Sequence, residues 1–322
     1  MRWKERCSLH HADFAVTLKA CADVGGADLV LTSPPYCDAR DYGMGCSWGM
    51  DDYHRLGVAV FDALRPGGHA LINVDAPVRV WRRLCEPCGR MTRHDRCPHC
   101  GAKTSNGPTE RGFHPWQLQE DWAEEIGFRV PDRLVFGRMG IPGEYRGRFR
   151  NDCEPLLWFQ KPGGDPWMDR WALAEESKHG AYAGGTSCSW GRDAMVYETN
   201  TGKASEEGKT HRGTFWDYGP CGKGHTGAPD IEAQNHPARW PYKLAEDIVR
   251  CFCPPDGLCC DPFVGAGTSA AAALEHGRRF VGGDLGSRQD NEDNQRRGLD
   301  AVPWVTVTAR VLTERFKQER LF

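Results

Sequence analysis

A short run near the N-terminus, TSPPY at residues 32–36, combines residue types that suit the binding of a flat ring carrying an amino group. It follows ADLVL at residues 27–31, an apolar run that predicts a buried parallel strand. Each proline lacks an N–H and restricts the residue before it to extended geometry, so a stiff loop must follow the strand. Ligands of open α/β sheets bind at such strand ends. The loop offers the Ser33 hydroxyl, the Pro34 carbonyl and the Tyr36 ring, although a proline turn that merely caps a strand explains the five residues equally well.

A second run predicts a strand, a glycine loop, a helix, another strand and then an acid. Residues 257–260 lead into DPFVGAGTS at 261–269, an alanine-rich helix at 270–276, and a strand at 279–283 that ends in Asp284. Glycine lets a backbone approach a ligand closely, and an acid at the end of the next strand suits ribose hydroxyls. The fingerprint G-x-G-x-x-G is not met because residue 270 is alanine. The complete unit, rather than the glycines alone, therefore indicates a ribose-bearing ligand.

Together the two runs resemble the motifs of the DNA amino-methyltransferases. That family pairs an Asp-Pro-Phe-x-Gly-x-Gly-Thr loop for S-adenosylmethionine with an (Asp/Asn/Ser)-Pro-Pro-Tyr loop for the target amine. The catalytic loop precedes the cofactor loop here, as in the permuted β group of the family, and the resemblance covers most of residues 1–286. It implies an α/β, Rossmann-like methyltransferase fold with a mixed seven-stranded sheet and circularly permuted motifs. Serine at position 33 is the form usual in cytosine-N4 enzymes.

The resemblance and the composition of the loops assign roles to individual residues. The predicted catalytic set is Ser33, Pro34, Pro35 and Tyr36. The predicted cofactor set is Asp13, Thr32, His236, Pro237, Asp261, Pro262, Phe263, Gly265, Gly267, Thr268, Ser269 and Asp284. Contacts to DNA are expected from Arg40, Arg138, Arg146, Arg148 and Arg150. Asp13 has an equally good interpretation as a solvated acid before a helix.

The predicted reaction moves a methyl group from S-adenosylmethionine to N4 of cytosine in double-stranded DNA, by base flipping and direct in-line transfer. One alternative is adenine-N6 methylation, because serine occurs in those enzymes too. Another is a non-DNA amine, such as protein glutamine or an RNA base. A third, from a different class, is a catalytically silent DNA-binding protein that contains zinc. The ring-attack route of carbon-5 enzymes needs a Pro-Cys loop, and none follows the corresponding strand.

Two C-x2-C pairs predict a structural zinc site. Cys85, Cys88, Cys97 and Cys100 can supply four thiolates to a tetrahedral ion, and a glycine follows each second cysteine. Residues 79–111 carry eight Lys and Arg against three Asp and Glu, in a chain whose formal net charge is -3. A basic insertion of this kind suits phosphate contacts. The alternative is a zinc-stapled insertion that only presents a loop.

Length and composition complete the prediction. The 322 residues divide into a catalytic half at 1–78, a zinc-binding insertion at 79–112, the remainder of the catalytic half at 113–161, a target-recognition region at 162–230 and a cofactor-binding half with its tail at 231–322. The charged N-terminus has no apolar leader, no run is long enough to span a membrane, and the 15 cysteines indicate a reduced protein of the prokaryotic or phage-infected cytoplasm. Double-stranded DNA is the expected partner, with a cognate restriction endonuclease possible. The recognition sequence and the oligomeric state stay open.

Several local predictions can be compared with the structure. Strands are expected at 129–136 and 154–160 as a hairpin-like pair at the edge of the sheet, and at 304–311. Helices are expected at 53–64, at 115–126, from His236 to Cys251, and at 287–297. Possible contacts to DNA in the target-recognition region are Arg192, Lys203, Lys209 and Arg212.

Overall fold

The computed structural model describes residues 3–36, 48–75, 78–80, 83–92, 94, 96–105, 109–112, 114–139, 149–176, 209–220, 240–286 and 300–317. Within them an eight-stranded mixed sheet has the order β1-β14-β13-β2-β3-β9-β8-β12. Its strands are β1 Cys7–His10, β2 Ala27–Thr32, β3 Leu64–Asn73, β8 Arg133–Met139, β9 Cys153–Gln160, β12 Phe215–Pro220, β13 Leu258–Asp261 and β14 Arg279–Gly283. The six α-helices in these ranges are α1 Phe14–Ala22, α2 Met50–Ala63, α3 His114–Asp121, which a π turn at Trp122–Ile126 continues, α4 Tyr242–Phe252, α5 Thr268–Glu275 and α6 Trp304–Lys317.

The strand directions bring the predicted motifs to one side of the sheet. Strands β1, β14, β13, β2 and β3 are parallel, β9 is antiparallel to β3, and β8 and β12 again follow the direction of β3. We call the side where the parallel strands end the carboxyl edge. It carries the ends of β2, β3, β13 and β14 together with the start of β9. The segments that follow β2, β3 and β13 therefore meet there.

Helices cover both faces of the sheet, which explains why its central strands are continuously apolar. Strands β2 and β13 are buried at every position. Helices α1 and α2 and the π turn pack on one face, and α4, α5 and α6 pack on the other. Cys259 belongs to one hydrophobic cluster and Cys260 to the other, as expected for neighbours in a strand. The result is a three-layer α/β fold.

The structure corrects two predictions about the sheet, the edge position of the β8–β9 pair and the number of strands. The strands β8 and β9 do pair antiparallel, but they are not at the edge, because β12 lies outside β8 and pairs with it in parallel. The sheet therefore has eight strands where seven were predicted. In the predicted target-recognition region, residues 162–176 and 209–220 are described, and β12 shows that part of it belongs to the main sheet. In β12 an exposed residue, Phe215, is followed by a buried one, Trp216. This alternation is too short for the sequence to predict a strand.

The predicted strand at 304–311 is also wrong, because these residues form the first part of α6. Valines 305 and 307 suggested a period of two, but burial recurs at the helical spacing of three and four. The buried positions are Trp304, Val305, Val307, Thr308, Val311 and Leu312. Helix α4 begins at Tyr242 rather than at His236. Residues 287–297 lie outside the described residues.

The predicted zinc-binding insertion forms two small sheets of its own. Strand β4 Val78–Val80 pairs with β7 Thr109–Arg111, and β5 Arg83–Cys85 pairs with β6 Arg90–Thr92. A further short pair, β10 Glu175–Glu176 with β11 Lys209–Thr210, lies before β12. The insertion leaves the main sheet after β3 and so begins at the carboxyl edge. None of the helices in the described ranges combines the length and the apolar character that crossing a membrane requires.

Candidate active site

A buried carboxylate joins the two predicted loops at the carboxyl edge. Thr32, the last residue of β2, donates its hydroxyl to Asp261 Oδ1 at 2.6 Å. Ser269 Oγ donates to Asp261 Oδ2 at 2.6 Å, and the Phe263 N–H donates to Oδ1 at 3.0 Å. Burial raises the pKa of Asp261 to about 6, against these three hydrogen bonds, which lower it. The hydrogen bonds among Thr32, Asp261 and Ser269 thus connect the two loops. Direct contact of these residues with a cofactor stays a prediction.

The glycine loop between β13 and α5 has the backbone shape that glycine permits. Gly265 and Gly267 have φ values of 48° and 84°, in the left-handed region that other residues rarely adopt. Gly267 is the N-cap of α5, and Thr268 is the first residue of that helix. Pro262 is buried, and Phe263 packs at 6.0 Å from Phe14 between ring centroids. The two glycines thus let the chain turn sharply between β13 and α5.

Asp284 follows β14 and is held against the glycine loop. Its Oδ2 accepts a hydrogen bond from the Gly265 N–H at 2.9 Å, and its Oδ1 accepts one from the Gly286 N–H at 2.8 Å. The residue is partly exposed. Hydrogen bonds from ribose hydroxyls to Asp284 stay a prediction.

The loop at residues 33–36 is fixed by hydrogen bonds that the sequence analysis did not predict. The Tyr36 hydroxyl lies 2.9 Å from Asn73 Oδ1 and 3.1 Å from Glu154 Oε2, and its one proton can be donated to either oxygen. Asn73 Nδ2 donates to the Pro155 carbonyl at 2.9 Å, which turns Oδ1 toward Tyr36. Ser33 Oγ lies 3.5 Å from the Tyr36 hydroxyl. Tyr36 is only 5% exposed, and these hydrogen bonds fix its side chain beneath the surface.

Asn73, Glu154 and Tyr53 are the site residues that sequence reasoning missed. Tyr53, on α2, donates its hydroxyl to the Pro35 carbonyl at 2.7 Å. Asn73 is the last residue of β3 and Glu154 is the second residue of β9, and both are buried. A polar residue at the end of an otherwise apolar strand, next to a predicted site, is the signal that could have found them.

The remaining predicted site residues are spread more widely. Asp13 is the N-cap of α1, because Oδ1 accepts from the Ala15 N–H at 2.8 Å, as in the alternative interpretation. Arg138 lies in β8, and Arg150 is exposed just before β9 at the carboxyl edge. The predictions for Arg40, Arg146, Arg148, His236 and Pro237 fall outside the described residues, as do those for Arg192 and Lys203.

Arg212, a possible DNA contact in the sequence analysis, forms ion pairs with two acidic residues of the chain. Its Nη1 lies 2.9 Å from Asp247 Oδ2 and its Nε lies 2.9 Å from Glu175 Oε1. Asp247 is fully buried on α4 and also accepts from the Tyr218 hydroxyl at 2.9 Å. The network joins β10 and β12 to α4, and a contact of Arg212 with DNA stays a prediction.

The four cysteines of the insertion converge as their spacing predicted. Their sulfur atoms all lie within 4.8 Å of one another, with Cys85 Sγ 3.3 Å from Cys100 Sγ and Cys88 Sγ 3.6 Å from Cys97 Sγ. Each pair sits in a tight turn closed by a glycine with positive φ at position 89 or 101. A tetrahedral ion with Zn–S bonds of about 2.3 Å separates its sulfurs by roughly 3.8 Å, so the cluster fits zinc.

Comparison with known proteins identifies the family. The sequence profile of the N6/N4 DNA methylases matches residues 27–289. The chain belongs to the N6/N4 DNA methylase family. This match covers β2 to β14 and includes both loops, the cysteine cluster and Asn73 and Glu154. The methylase is therefore an amino-methyltransferase of the family that acts on DNA.

Individual relatives of this methylase carry both base specificities. The orphan methyltransferase M.BamHII of Bacillus amyloliquefaciens is 25% identical over 278 residues, which are 84% of this chain and 88% of the relative. The DNA adenine methyltransferase YhdJ of Escherichia coli (strain K12) is 24% identical over 165 residues, 50% of this chain and 49% of that protein. The structure of the PvuII DNA methyltransferase (cytosine-N4-specific) aligns with a TM-score of 0.55 at 15% identity, over 96% of this chain and 93% of that chain. The M1.HpyAVI structure in complex with SAM aligns with a TM-score of 0.50 at 16% identity, over 95% of this chain and 98% of that chain. The structural matches establish the methyltransferase fold.

Proposed function

We propose that this methylase transfers a methyl group from S-adenosylmethionine to the exocyclic N4 of cytosine in double-stranded DNA. The observation that carries the proposal is the Thr32–Asp261 hydrogen bond of 2.6 Å, which fixes the Ser33–Tyr36 loop beside the glycine loop. A methyl donor on one loop and an amine on the other would then lie next to each other. Such placement accounts for much of the rate of a two-substrate reaction.

The glycine loop fits S-adenosylmethionine. The left-handed turns at Gly265 and Gly267 would let the backbone approach the ligand, and Asp284 would accept hydrogen bonds from its ribose hydroxyls. Rings of Phe14, Trp48 and Phe263 pack together at centroid distances of 5.4 to 6.0 Å beside the loop and give it an apolar wall. When bound, the cofactor supplies an electrophilic sulfonium methyl group.

The residues of the other loop would activate the amine by position alone. The exocyclic nitrogen of a nucleobase is a poor nucleophile because its lone pair is delocalised into the ring. Ser33 Oγ and the Pro34 carbonyl would accept its two hydrogens, which favours a pyramidal nitrogen with its lone pair directed at the glycine loop. Tyr36 would line the pocket for the flipped base, whose extraction costs a few kcal/mol. The hydrogen bonds of the Tyr36 hydroxyl would keep this loop from shifting during transfer.

The serine of the loop favours cytosine over adenine. The runner-up, adenine-N6 methylation, is supported by the match to an adenine methyltransferase. The two activities share the chemistry and differ in the shape of the pocket. An accompanying restriction endonuclease would fit a methylase of this family that protects host DNA.

Product analysis tests the proposal. The protein is expressed in a host without methylases of its own, and the DNA is digested to nucleosides for mass spectrometry. We expect N4-methylcytosine. N6-methyladenine as the product would establish the runner-up, and 5-methylcytosine would overturn the mechanism.

A serine variant separates catalysis from cofactor binding in the same assay. Ser33→Ala should lower the rate roughly ten- to a hundredfold, because one hydrogen bond in a dry site is worth ~1–3 kcal/mol, and should leave S-adenosylmethionine affinity unchanged. Ser8→Ala, at an exposed serine of β1, is the matched control. Equal rates for the two variants would remove Ser33 from the mechanism.

We also propose that Cys85, Cys88, Cys97 and Cys100 bind one structural zinc ion. The convergence of their sulfurs within 4.8 Å supports it. Four protein ligands fill a tetrahedral site and leave no position for water, so the ion would staple the insertion rather than take part in the reaction.

A further inference from the structure

Helix α6 lies beyond the end of the family match and packs against the glycine loop. The match ends at residue 289, and the helix runs over Trp304–Lys317. Trp304, Val307 and Val311 form a hydrophobic cluster with Ala266, the residue between the two glycines. The Trp304 N–H also donates to the Gly286 carbonyl at 3.1 Å. An element outside the family profile is therefore in contact with the loop at its centre.

One polar contact fixes the loop more closely than this packing. Thr308 is fully buried, and its Oγ1 donates to the Gly265 carbonyl at 2.8 Å. The N–H of the same glycine donates to Asp284 at 2.9 Å, so both backbone polar groups of Gly265 are held. A Cβ added to Gly267 would lie 2.7 Å from Thr308 Cγ2, which shows how closely the threonine fits the turn.

A glycine turn benefits from such support. Glycine loses more conformational freedom on ordering than any other residue, so a free glycine loop would have to be ordered when its ligand binds. A loop that is ordered before binding avoids that cost, and the affinity rises accordingly. The Thr308 hydroxyl is buried and directed at the Gly265 carbonyl, so its effect on a ligand must pass through the loop.

We propose that Thr308 is a positioning residue for the cofactor, and that α6 holds the glycine loop in the shape that binds S-adenosylmethionine. The proposal rests on the proposed function, since it takes this loop as the cofactor site. It assigns a role in cofactor affinity to a segment outside the family profile.

The test compares Thr308→Val, which keeps the shape and removes the donor, with Thr308→Ser, which keeps the donor. Thr313→Val is the matched control, because Thr313 Oγ1 donates at 2.7 Å to the Ala309 carbonyl within α6 itself. Isothermal titration with S-adenosylmethionine should show a Kd about three- to tenfold weaker for Thr308→Val and near wild type for the other two. KM for S-adenosylmethionine should rise with it, while kcat at saturating cofactor and KM for DNA stay the same.

A purely structural role for Thr308 predicts a different result. Thr308→Val would then lower the melting temperature and keep the wild-type Kd, which would overturn the proposal. Should that variant fail to fold, Thr308→Ala removes the donor without adding a second methyl group. Its Kd for S-adenosylmethionine should be weaker than that of Thr308→Ser. Equal affinities of these two variants would also overturn the proposal. Absence of cofactor binding by the wild type would instead refute the proposed function, and the positioning role with it.

Discussion

Asp261 occupies the point where the two loops meet, and its chemistry follows from that position. Its carboxylate is buried and accepts hydrogen bonds from Thr32, Ser269 and the backbone of Phe263. Three donors satisfy the charge, yet burial still raises its pKa to about 6. An apolar residue at this position could not make these hydrogen bonds. We therefore infer that Asp261 holds the two loops in register.

The raised pKa of Asp261 leads to a prediction about stability. An aspartate in the unfolded chain has a pKa of about 3.9, so between roughly pH 4 and 6 the folded protein binds more protons than the unfolded one. The free energy of unfolding should therefore fall as pH rises through that window, by at most about 1.4 kcal/mol per pH unit from this group. Asp261→Asn should lack this contribution.

Urea denaturation across that pH range measures the difference directly. The wild-type curve minus the Asp261→Asn curve isolates the one carboxyl from the other groups that titrate there. Asp284→Asn is the comparison variant, because Asp284 is partly exposed whereas Asp261 is buried. A difference curve that stays flat from pH 4 to 6 would contradict the raised pKa of Asp261.

The sequence predicted those elements whose backbone is fixed by residues within the element itself. The prolines that end β2 and the glycines that start α5 fix the backbone by their own chemistry, so both loops were found from sequence. Asn73 and Glu154 meet Tyr36 across 37 and 118 positions of chain, and no local pattern reports such contacts. Helix α6 was mistaken for a strand because alternating valines imitate a period of two over its first turns.

The cysteine insertion is an element whose stability should depend on metal. Its two-stranded sheets are three residues per strand, far too small for a hydrophobic core of their own. We expect about one zinc per chain by metal analysis. Cys88→Ser combined with Cys97→Ser should lose the metal, whereas Cys7→Ser, at a half-buried thiol of β1 outside the cluster, should retain it.

The function of the insertion can be separated from its folding by the same variants. If zinc organises a DNA contact, the double variant should weaken DNA affinity and keep S-adenosylmethionine affinity, because none of the predicted cofactor-binding residues belongs to the insertion. Full DNA affinity in metal-free protein would limit the ion to holding the insertion together. Retention of zinc by the double variant would refute the site itself.

The whole molecule brings together halves that are far apart in the chain. Strand β13 pairs with β2 in parallel, with Cys259 opposite Leu29 and Cys260 opposite Val30. The Ser33–Tyr36 loop and the glycine loop become neighbours through this strand pair, and the Thr32–Asp261 hydrogen bond joins residues 229 positions apart.

Charge at the scale of the molecule sets how DNA can be bound. The formal net charge is -3, from 41 Lys and Arg against 44 Asp and Glu, so overall attraction to phosphate is absent and the contact must be local. The carboxyl edge, where Arg150 is exposed, is the expected place. Each phosphate contact adds about 0.9 to the slope of log affinity against log salt concentration.

Arg150→Ala should weaken DNA binding alike for all sequences and reduce that slope by about one. Fluorescence anisotropy between roughly 50 and 200 mM salt measures both quantities. Arg279→Ala is the matched control, because that exposed arginine begins β14 at the opposite edge of the sheet. Its slope should equal that of the wild type. Equal slopes for Arg150→Ala and Arg279→Ala would show that DNA does not reach Arg150, and the binding face would have to be sought elsewhere on the molecule.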